Sequence, residues 1–506
     1  MTYQIIDNFA AGQDNRKSPL TSPAGTLTKL VNVVVTPGGE LSKRRAFTQV
    51  AALAPDTFGL AATESSLWIF GRNVDPGLPS TWEVPNVTLK GAKIPNASLT
   101  LQQSDYDIFD GRVYLACRDL AQVTSATINP HYYVGSRGGS TTLYDGVLTE
   151  GTGKGFFIRT FKSKIYSVNP PNVANGRLLS FSAVGDPMVW TGTSNGSGFI
   201  NLSLTDAASE NLKSVEVYYD KLAIFSTRAT QIWAVAADPA QNAFDQLLRG
   251  SGTSAQRSPL QYGSGDVLFL DASGVRSLKA KDSSNSASVS DIGSPIDPAI
   301  NEILLAVGKG QAYLDKAVAI LEPVIGRFWM VFPDEILVLS YFPGPKITAW
   351  SRFTLPELDG YDVTYAATAG GRIFLKDSLN RLWVYGGTDG KAYADLGPRA
   401  VEVRMPYLDG KKPGHKKTFQ AFDATVNSTW GNPMPTGAWE VAVSYDPSDP
   451  EQEEVIGTID KPTWNIGASE MQGYDSHFSL RFYNSDALPA TISNCAVHYS
   501  IADDEA

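Results

Sequence analysis

Seven short apolar or aromatic runs recur along the chain, roughly 45 to 60 residues apart. They are Leu67-Trp-Ile-Phe70, Gly111-Arg-Val-Tyr-Leu115, Ser163-Lys-Ile-Tyr-Ser167, Lys221-Leu-Ala-Ile-Phe225, Asp266-Val-Leu-Phe-Leu270, Arg327-Phe-Trp-Met-Val331 and Gly371-Arg-Ile-Phe-Leu375. Four of them are followed closely by a second strand-like run: Gln231-Ile-Trp-Ala-Val235, Gly274-Val-Arg-Ser-Leu278, Glu335-Ile-Leu-Val-Leu339 and Arg381-Leu-Trp-Val-Tyr385. Turn-forming residues separate the members of a pair, as in Asp271-Ala-Ser-Gly274 and Asp377-Ser-Leu-Asn380. A repeating unit with a central apolar hairpin is the pattern of a propeller blade, because radial closure buries both faces of each small sheet and leaves only short edges. Helical periodicity is scarce. It predicts short helices only over 240–248 and 297–307, the latter opening on Asp297-Pro298.

The pattern differs at the two ends. Residues 8–47 read as an extended N-terminal arm leading into a hairpin. Val31, Val33 and Val35 fall on one face of a strand, and Asn32 and Val34 on the other. Pro37-Gly38-Gly39 makes the turn, and 41–47 returns with Lys43, Arg44 and Arg45 among its apolar residues. Such an arm has no core of its own. Phe9, Asn32, Lys43, Arg44 and Arg45 are therefore interface candidates, although the three cations also suit a protected strand edge. Beyond residue 400, longer alternating strands are predicted over 418–426, 438–445, 476–483 and 494–500, a separate antiparallel sandwich. The fold expected is all-β: an N-terminal arm (1–49), a β-propeller of six to eight blades (50–398) and a C-terminal β-sandwich with a short acidic tail (399–506).

Composition agrees. The 506 residues hold 45 Gly and 30 Pro, many for a helical protein and apt for many turns. The net charge of −10 argues against wrapping nucleic acid over the whole surface, which needs a dense cationic footprint. A local patch remains compatible: Lys411, Lys412, Lys416 and Lys417 form the densest basic cluster outside the arm, facing either a DNA channel or the acids of another subunit, such as Glu451, Glu453 and Glu454. Cys117 and Cys495 read as free core thiols. Neither a signal peptide nor an apolar run long enough to span a bilayer is expected.

Candidate chemistry is thin. None of the four histidines pairs at metal-ligand spacing, and no nucleophile elbow or phosphate loop is present. Gly135–Gly139 and Gly151–Gly155 are glycine-rich but lack the strand-loop-helix setting for phosphate. Glycoside hydrolysis needs two facing carboxylates. Asp105, Asp107, Asp110, Asp145, Asp186 and Asp220 could be arranged many ways, and spacing does not choose among them. No cofactor is implied.

A family resemblance adds to this. The Phe-x-x-Gly start, the Pro/Ala/Gly linker, Asn32 before a strand, the Gly38-Gly39 turn and Leu41-Ser-Lys-Arg44 resemble the opening of the tail nozzle or hub proteins of short-tailed bacteriophages. Tyr218 to Ser294 resembles that family's propeller, with Ile232-Trp233, Arg249-Gly-Ser-Gly252 and Gly265-Asp-Val-Leu-Phe-Leu-Asp271, except that Phe269 stands where the family has Trp and its Cys is missing. Trp350-Ser351 and the run 473–482 are similar too. The resemblance implies a non-enzymatic virion protein, made in the host cytoplasm. It would form a ring, six copies in the family, at the distal tail. Its implied partners are an adaptor ring above, a tail fibre, spike or needle, and double-stranded DNA passing transiently during ejection. The alternative is a glycan-binding or glycoside-hydrolysing propeller.

Overall fold

The computed structural model describes residues 2–72, 74, 82–94, 100–119, 131–137, 140–145, 155–168, 177–192, 195–204, 210–284, 291–306, 308–426, 437–460 and 469–501. The acidic tail and the segment 151–154 lie outside these residues. The protein is an all-β propeller joined to a β-sandwich.

Seven blades follow one another, six as separate small sheets and one, blade 6, as the end of a larger sheet. Blade 1 is Thr57–Ala62, Ser66–Gly71 and Thr88–Lys93; blade 2 is Leu101–Phe109, Arg112–Asp119, His131–Arg137 and Ser140–Asp145. Blade 3 is Phe157–Phe161, Lys164–Val168, Leu178–Phe181 and Gly198–Asn201; blade 4 is Leu212–Tyr218, Lys221–Ser226, Ala229–Ala234 and Ala243–Arg249. Blade 5 is Leu260–Tyr262, Asp266–Leu270 and Val275–Ser277, followed by the helix Leu278–Ser284. Blade 6 is Val318–Leu321, Phe328–Val331, Glu335–Phe342 and Ile347–Thr354. Blade 7 is Val363–Ala369, Arg372–Asp377 and Arg381–Tyr385, completed on its outer edge by Phe47–Ala52 from the other end of the propeller sequence. The first strand of every blade touches that of the next, and blade 7 returns to blade 1, so the ring is closed.

All seven apolar runs are the second strands of their blades. They are continuously apolar because both faces are covered. Leu67 and Ile69 pack towards blade 7 with Phe374 and Val384, whereas Trp68 and Phe70 pack towards blade 2 with Val113 and Leu115. Every adjacent pair of blades shares such a cluster; between blades 4 and 5, Phe269 fills the space against Phe225 with ring centroids 5.1 Å apart. The turns after the second strands of blades 5 and 7 are tied by aspartates. Asp271 Oδ1 accepts from the N–H groups of Ser273 and Gly274, and Asp377 Oδ1 from those of Leu379 and Arg381.

The ends of the chain revise the expected organisation. The N-terminal segment is not an arm without a core. Thr2–Ile6, Val33–Val35 and Leu41–Lys43 join Lys417–Val426, Ser469–Asp475 and Thr491–Ile501 in one sheet of the sandwich. Lys29–Val31 lies in the other sheet, beside Val401–Arg404, Ser479–Asn484, Trp439–Ser444 and Glu454–Ile459. Lys29–Val31 also pairs in parallel with Ile347–Thr354, so this second sheet runs on without a break into blade 6. The sandwich is therefore not separate from the propeller, and Phe47–Ala52 carries the chain across the expected 49/50 boundary.

Two local expectations also change. Residues 31–35 are not one strand: Asn32 has φ 58°, and there the chain crosses from one sheet of the sandwich to the other. The helix expected over 240–248 is a 3-10 turn, Pro239–Gln241, followed by the outer strand Ala243–Arg249. Pairing with Ala229–Ala234 along the blade edge overrides local helical propensity. The second predicted helix is present as Asp297–Leu305.

Arg44 anchors the joint between propeller and sandwich. Its side chain is fully buried, forks onto Glu357 with two hydrogen bonds of 2.8 Å, and donates to the Thr354 carbonyl at 2.9 Å. Removing one partner of a buried ion pair leaves the other charge uncompensated, at a cost of about 3–5 kcal/mol. Arg44→Ala is expected to lose about that much stability in equilibrium denaturation. A loss below about 1 kcal/mol would show that the pair is not structural.

Candidate functional site

The seven first strands surround a central cavity of about 600 Å³, to which every blade contributes. Its charged groups come from separate blades. Asp105 and Asp107, two residues apart on one strand of blade 2, point to the same face. Arg159 comes from blade 3, Glu216 from blade 4, and Arg257 from the segment entering blade 5.

Arg159 lies at the centre. Its Nε donates to Glu216 Oε2 at 2.8 Å and its Nη1 to Asp105 Oδ2 at 3.1 Å. Asp105 also accepts from the Ile158 N–H at 3.0 Å, and Asp107 accepts from the Thr160 N–H, so two side chains of blade 2 hold the backbone of blade 3. Gln103 does the same towards blade 1, with Nε2 donating to the Leu60 carbonyl at 2.9 Å. The Tyr365 hydroxyl of blade 7 donates to the Gln103 carbonyl at 3.2 Å. Arg257 donates to the Lys316 carbonyl at 2.8 Å and the Thr364 carbonyl at 3.3 Å, and its guanidinium lies over the Tyr365 ring, 5.3 Å from the centroid. The polar lining of the cavity is thus a set of staples between blades.

Three carboxylates around Arg159 exceed what one guanidinium neutralises. Burial raises the pKa of all three; Asp105 is pushed up to about 7 against the opposing pull of Arg159. Asp105 and Glu216 are both bonded to the same guanidinium. A hydrolytic pair instead needs carboxyl groups facing each other across roughly 5–9 Å with room for substrate or water. The arrangement holds blades together and stores a carboxyl group that titrates near neutral pH.

Of the six aspartates considered from the sequence, the structure brings Asp105 and Asp107 into this cavity. Asp110 sits in the tight turn of blade 2 at φ 49°, Asp186 holds the N–H of Met188, and Asp220 lies in the turn between the first two strands of blade 4. The side chain of Asp145 is not among those described. Arg159, Glu216 and Arg257 were missed, yet a signal existed: Asp105, Arg159 and Glu216 are separated by 54 and 57 residues, one blade each.

The expected interface residues have different fates. Phe9 is buried in the sandwich core with Phe419, Phe422 and Trp439. Asn32 is buried, accepting at Oδ1 from Arg44 Nε at 2.7 Å and donating through Nδ2 to the Ala400 carbonyl at 2.7 Å. Lys43 is buried, donates to Asn484 Oδ1 at 2.8 Å and to the Asp486 carbonyl, and burial pushes its pKa down to about 8. Phe9, Asn32, Lys43 and Arg44 therefore face their own chain rather than a neighbour, because the arm supplies strands to the sandwich. Arg45 alone of the triplet reaches a surface pocket.

The basic loop divides similarly. Lys411 and Lys412 are exposed, and Lys416 lies over the Tyr474 ring at 5.2 Å. Lys417 is buried and donates to the carbonyls of Lys412, His415 and Ser476, so it ties the loop instead of presenting charge. Glu451 and Glu453 pair within the chain, with Arg404, Arg399 and Arg481. Cys117 and Cys495 are buried free thiols. His498 contacts Asp423 at 2.7 Å, and among the described residues no group of three potential ligands could hold a metal ion. Among the described residues, no helix is long and apolar enough to cross a membrane.

Asp105 supplies a pH test. Its carboxyl group is protonated in both states below about pH 4. Between about pH 4 and pH 7 the folded state alone holds the proton, so stability falls as pH rises through that window. Asp105→Asn keeps an oxygen acceptor for Ile158 and removes the titration. Relative to the parent, its Tm is expected to rise by several degrees from pH 4 to pH 7, as scanning calorimetry would show. A parallel pH dependence of the two proteins rules out Asp105 as the titrating group.

No known family model and no curated protein matches the chain. Solved structures with similar folds include an exo-β-1,3-galactanase from Phanerochaete chrysosporium with galactose (12% identity, 78% of this chain and 95% of that chain, TM-score 0.27). The WD40 domain of Neurospora crassa Pan2 is similar at 11% identity, over 68% of this chain and 96% of that one, with TM-score 0.38. BamB from Moraxella catarrhalis is similar at 9% identity, over 67% and 97%, with TM-score 0.33. The propeller assignment rests on the strand topology, and these likenesses say nothing about chemistry.

Proposed function

We propose that the chain is a structural, non-enzymatic subunit of a short phage tail, forming a ring-shaped distal nozzle or hub that contacts an adaptor ring and a fibre, spike or needle. One observation carries this reading. The residues that resemble the nozzle family at the N-terminus, Phe9, Asn32 and Arg44, are the ones that weld propeller and sandwich together. A propeller sharing a continuous sheet with a sandwich suits a load-bearing part, since relative motion of the two would break backbone pairing.

In this reading DNA does not run through the propeller axis. Gln103, Asp105, Arg159 and Arg257 tie neighbouring inner strands together around the central cavity of about 600 Å³, and a duplex on this axis would have to break those ties. The path lies between copies, around the axis of the ring, with a wall that is acidic or mixed. Lys411, Lys412 and Lys416 are the candidates to meet DNA or a neighbouring copy. Lys417 is not, because it is spent on three carbonyls of its own loop.

The purified chain is expected to give a ring of several copies by light scattering and electron microscopy; a monomer at tens of micromolar contradicts the proposal. Replacing Lys411, Lys412 and Lys416 with Gln leaves the fold intact. It then alters either DNA ejection or ring assembly. An unchanged phage removes the loop from both roles. The alternative of a glycan-binding or glycoside-hydrolysing propeller draws on the carboxylate-lined cavity; binding or cleavage of a polysaccharide, lost in Asp105→Asn and Glu216→Gln, would favour it.

A further inference from the structure

The basic triplet leaves one cation unaccounted for. Lys43 and Arg44 are consumed inside the joint, whereas the Arg45 side chain enters a second pocket, about 390 Å³, at the seam where blades 6, 7 and 1 meet. Its backbone N–H is fixed by the Tyr385 hydroxyl at 3.1 Å. Its stem passes Gly386, where a Cβ would lie 3.1 Å from Arg45 Cδ and φ is +79°. A glycine there lets the side chain lie close against the turn.

Arg372 faces the same pocket. Its guanidinium is held rigidly by backbone carbonyls, those of Thr388 at 2.9 Å, Tyr385 at 3.0 Å and Gly387. Carbonyls orient a guanidinium but do not neutralise it. Burial, then the neighbouring Arg45 charge, push the pKa of Arg372 down, and the pull of Asp389 in the other direction does not make up for them. Lys391 is a third cation on the rim. Two acids also line the pocket: Glu322, already occupied by Arg327 at 3.4 Å, and Asp389, which accepts from the Lys391 N–H at 2.9 Å.

With Glu322 taken up by Arg327, three cations face one carboxylate, Asp389, which leaves two positive charges in a preformed recess. We propose that this pocket is a docking site for an acidic peptide segment of a partner, inserting two neighbouring Asp or Glu carboxylates between Arg45, Arg372 and Lys391. The two residual charges match a pair of acidic side chains, whereas a free phosphate of equal charge gains nothing from the apolar rim. No described residue holds the Arg45 fork, which offers the bidentate geometry that carboxylates take. Val324, 78% exposed at the rim, provides an apolar contact for the flanking peptide. This site stands whether or not the chain belongs to a phage tail.

The test is binding of hexaglutamate to the full-length protein by calorimetry at constant ionic strength, with inorganic phosphate as the competing probe. Arg45→Gln should weaken hexaglutamate binding at least tenfold and Lys391→Gln several-fold, with phosphate a poor competitor. If Arg45→Gln fails to fold, the exposed Lys391→Gln variant decides. Phosphate binding without hexaglutamate binding overturns the peptide assignment. Absence of both, or equal affinity in the variants, overturns the site.

Discussion

The structure depends on closing a ring of sheets with a strand from the wrong end of the sequence. Blade 7 has only three strands of its own until Phe47–Ala52 pairs with Arg381–Tyr385. A propeller removes exposed edges only if the last blade meets the first. Here the closing strand is held from outside as well. Arg44, three residues before it, is locked to Glu357, and the Phe47 N–H donates to the same carboxylate at 3.1 Å. Phe47 itself packs among Trp329 and Tyr385, joining the closing strand to the core between blades 6 and 7.

Closure couples the two halves of the molecule. The residues just before the closing strand are sandwich strands, and Asn32 sends the chain between the two sheets while binding Arg44, Thr354 and the Ala400 carbonyl. Its left-handed backbone is one that asparagine tolerates better than most residues. One side chain therefore touches the arm, blade 6 and the entrance to the C-terminal region. Sandwich and propeller are thus joined both by backbone pairing and by one network of buried side chains.

The central cavity applies the same logic with charge. Inner strands of neighbouring blades diverge from the axis and do not hydrogen-bond continuously to one another, so side chains bridge them. Gln103 bridges blades 1 and 2, Asp105 and Asp107 bridge blades 2 and 3, Arg159 bridges blades 3 and 4, and Arg257 reaches from blade 5 to blade 7. Buried charges are tolerated because each is paired or bonded to backbone, and the excess carboxylate responds by binding its proton more tightly. Carboxylates in a propeller cavity are thus weak evidence for hydrolysis when a guanidinium already spans them.

Much of the fold was legible in the chain. A strand buried on both faces must be apolar throughout, so the seven second strands stood out at blade spacing, and the paired third strands followed from their turns. The C-terminal strands showed their alternation because one face lines the apolar core of the sandwich; in Ser479–Asn484 the other, polar face is buried as well, with Arg481 paired to Glu453. What the sequence could not determine was which distant segments meet. Nothing local in Lys43-Arg44-Arg45 says that the first cation caps the sandwich, the second locks ring closure and the third enters a pocket; Asn484, Glu357 and Arg372, which decide these fates, lie more than 300 positions away. The same holds for Lys417 beside the exposed Lys416, and for the outer strand at 243–249, whose helix-like composition yields to pairing at a blade edge. Local pattern determines which faces must be buried. Only tertiary structure decides against what, because charge compensation and strand pairing are settled between segments that the sequence keeps far apart.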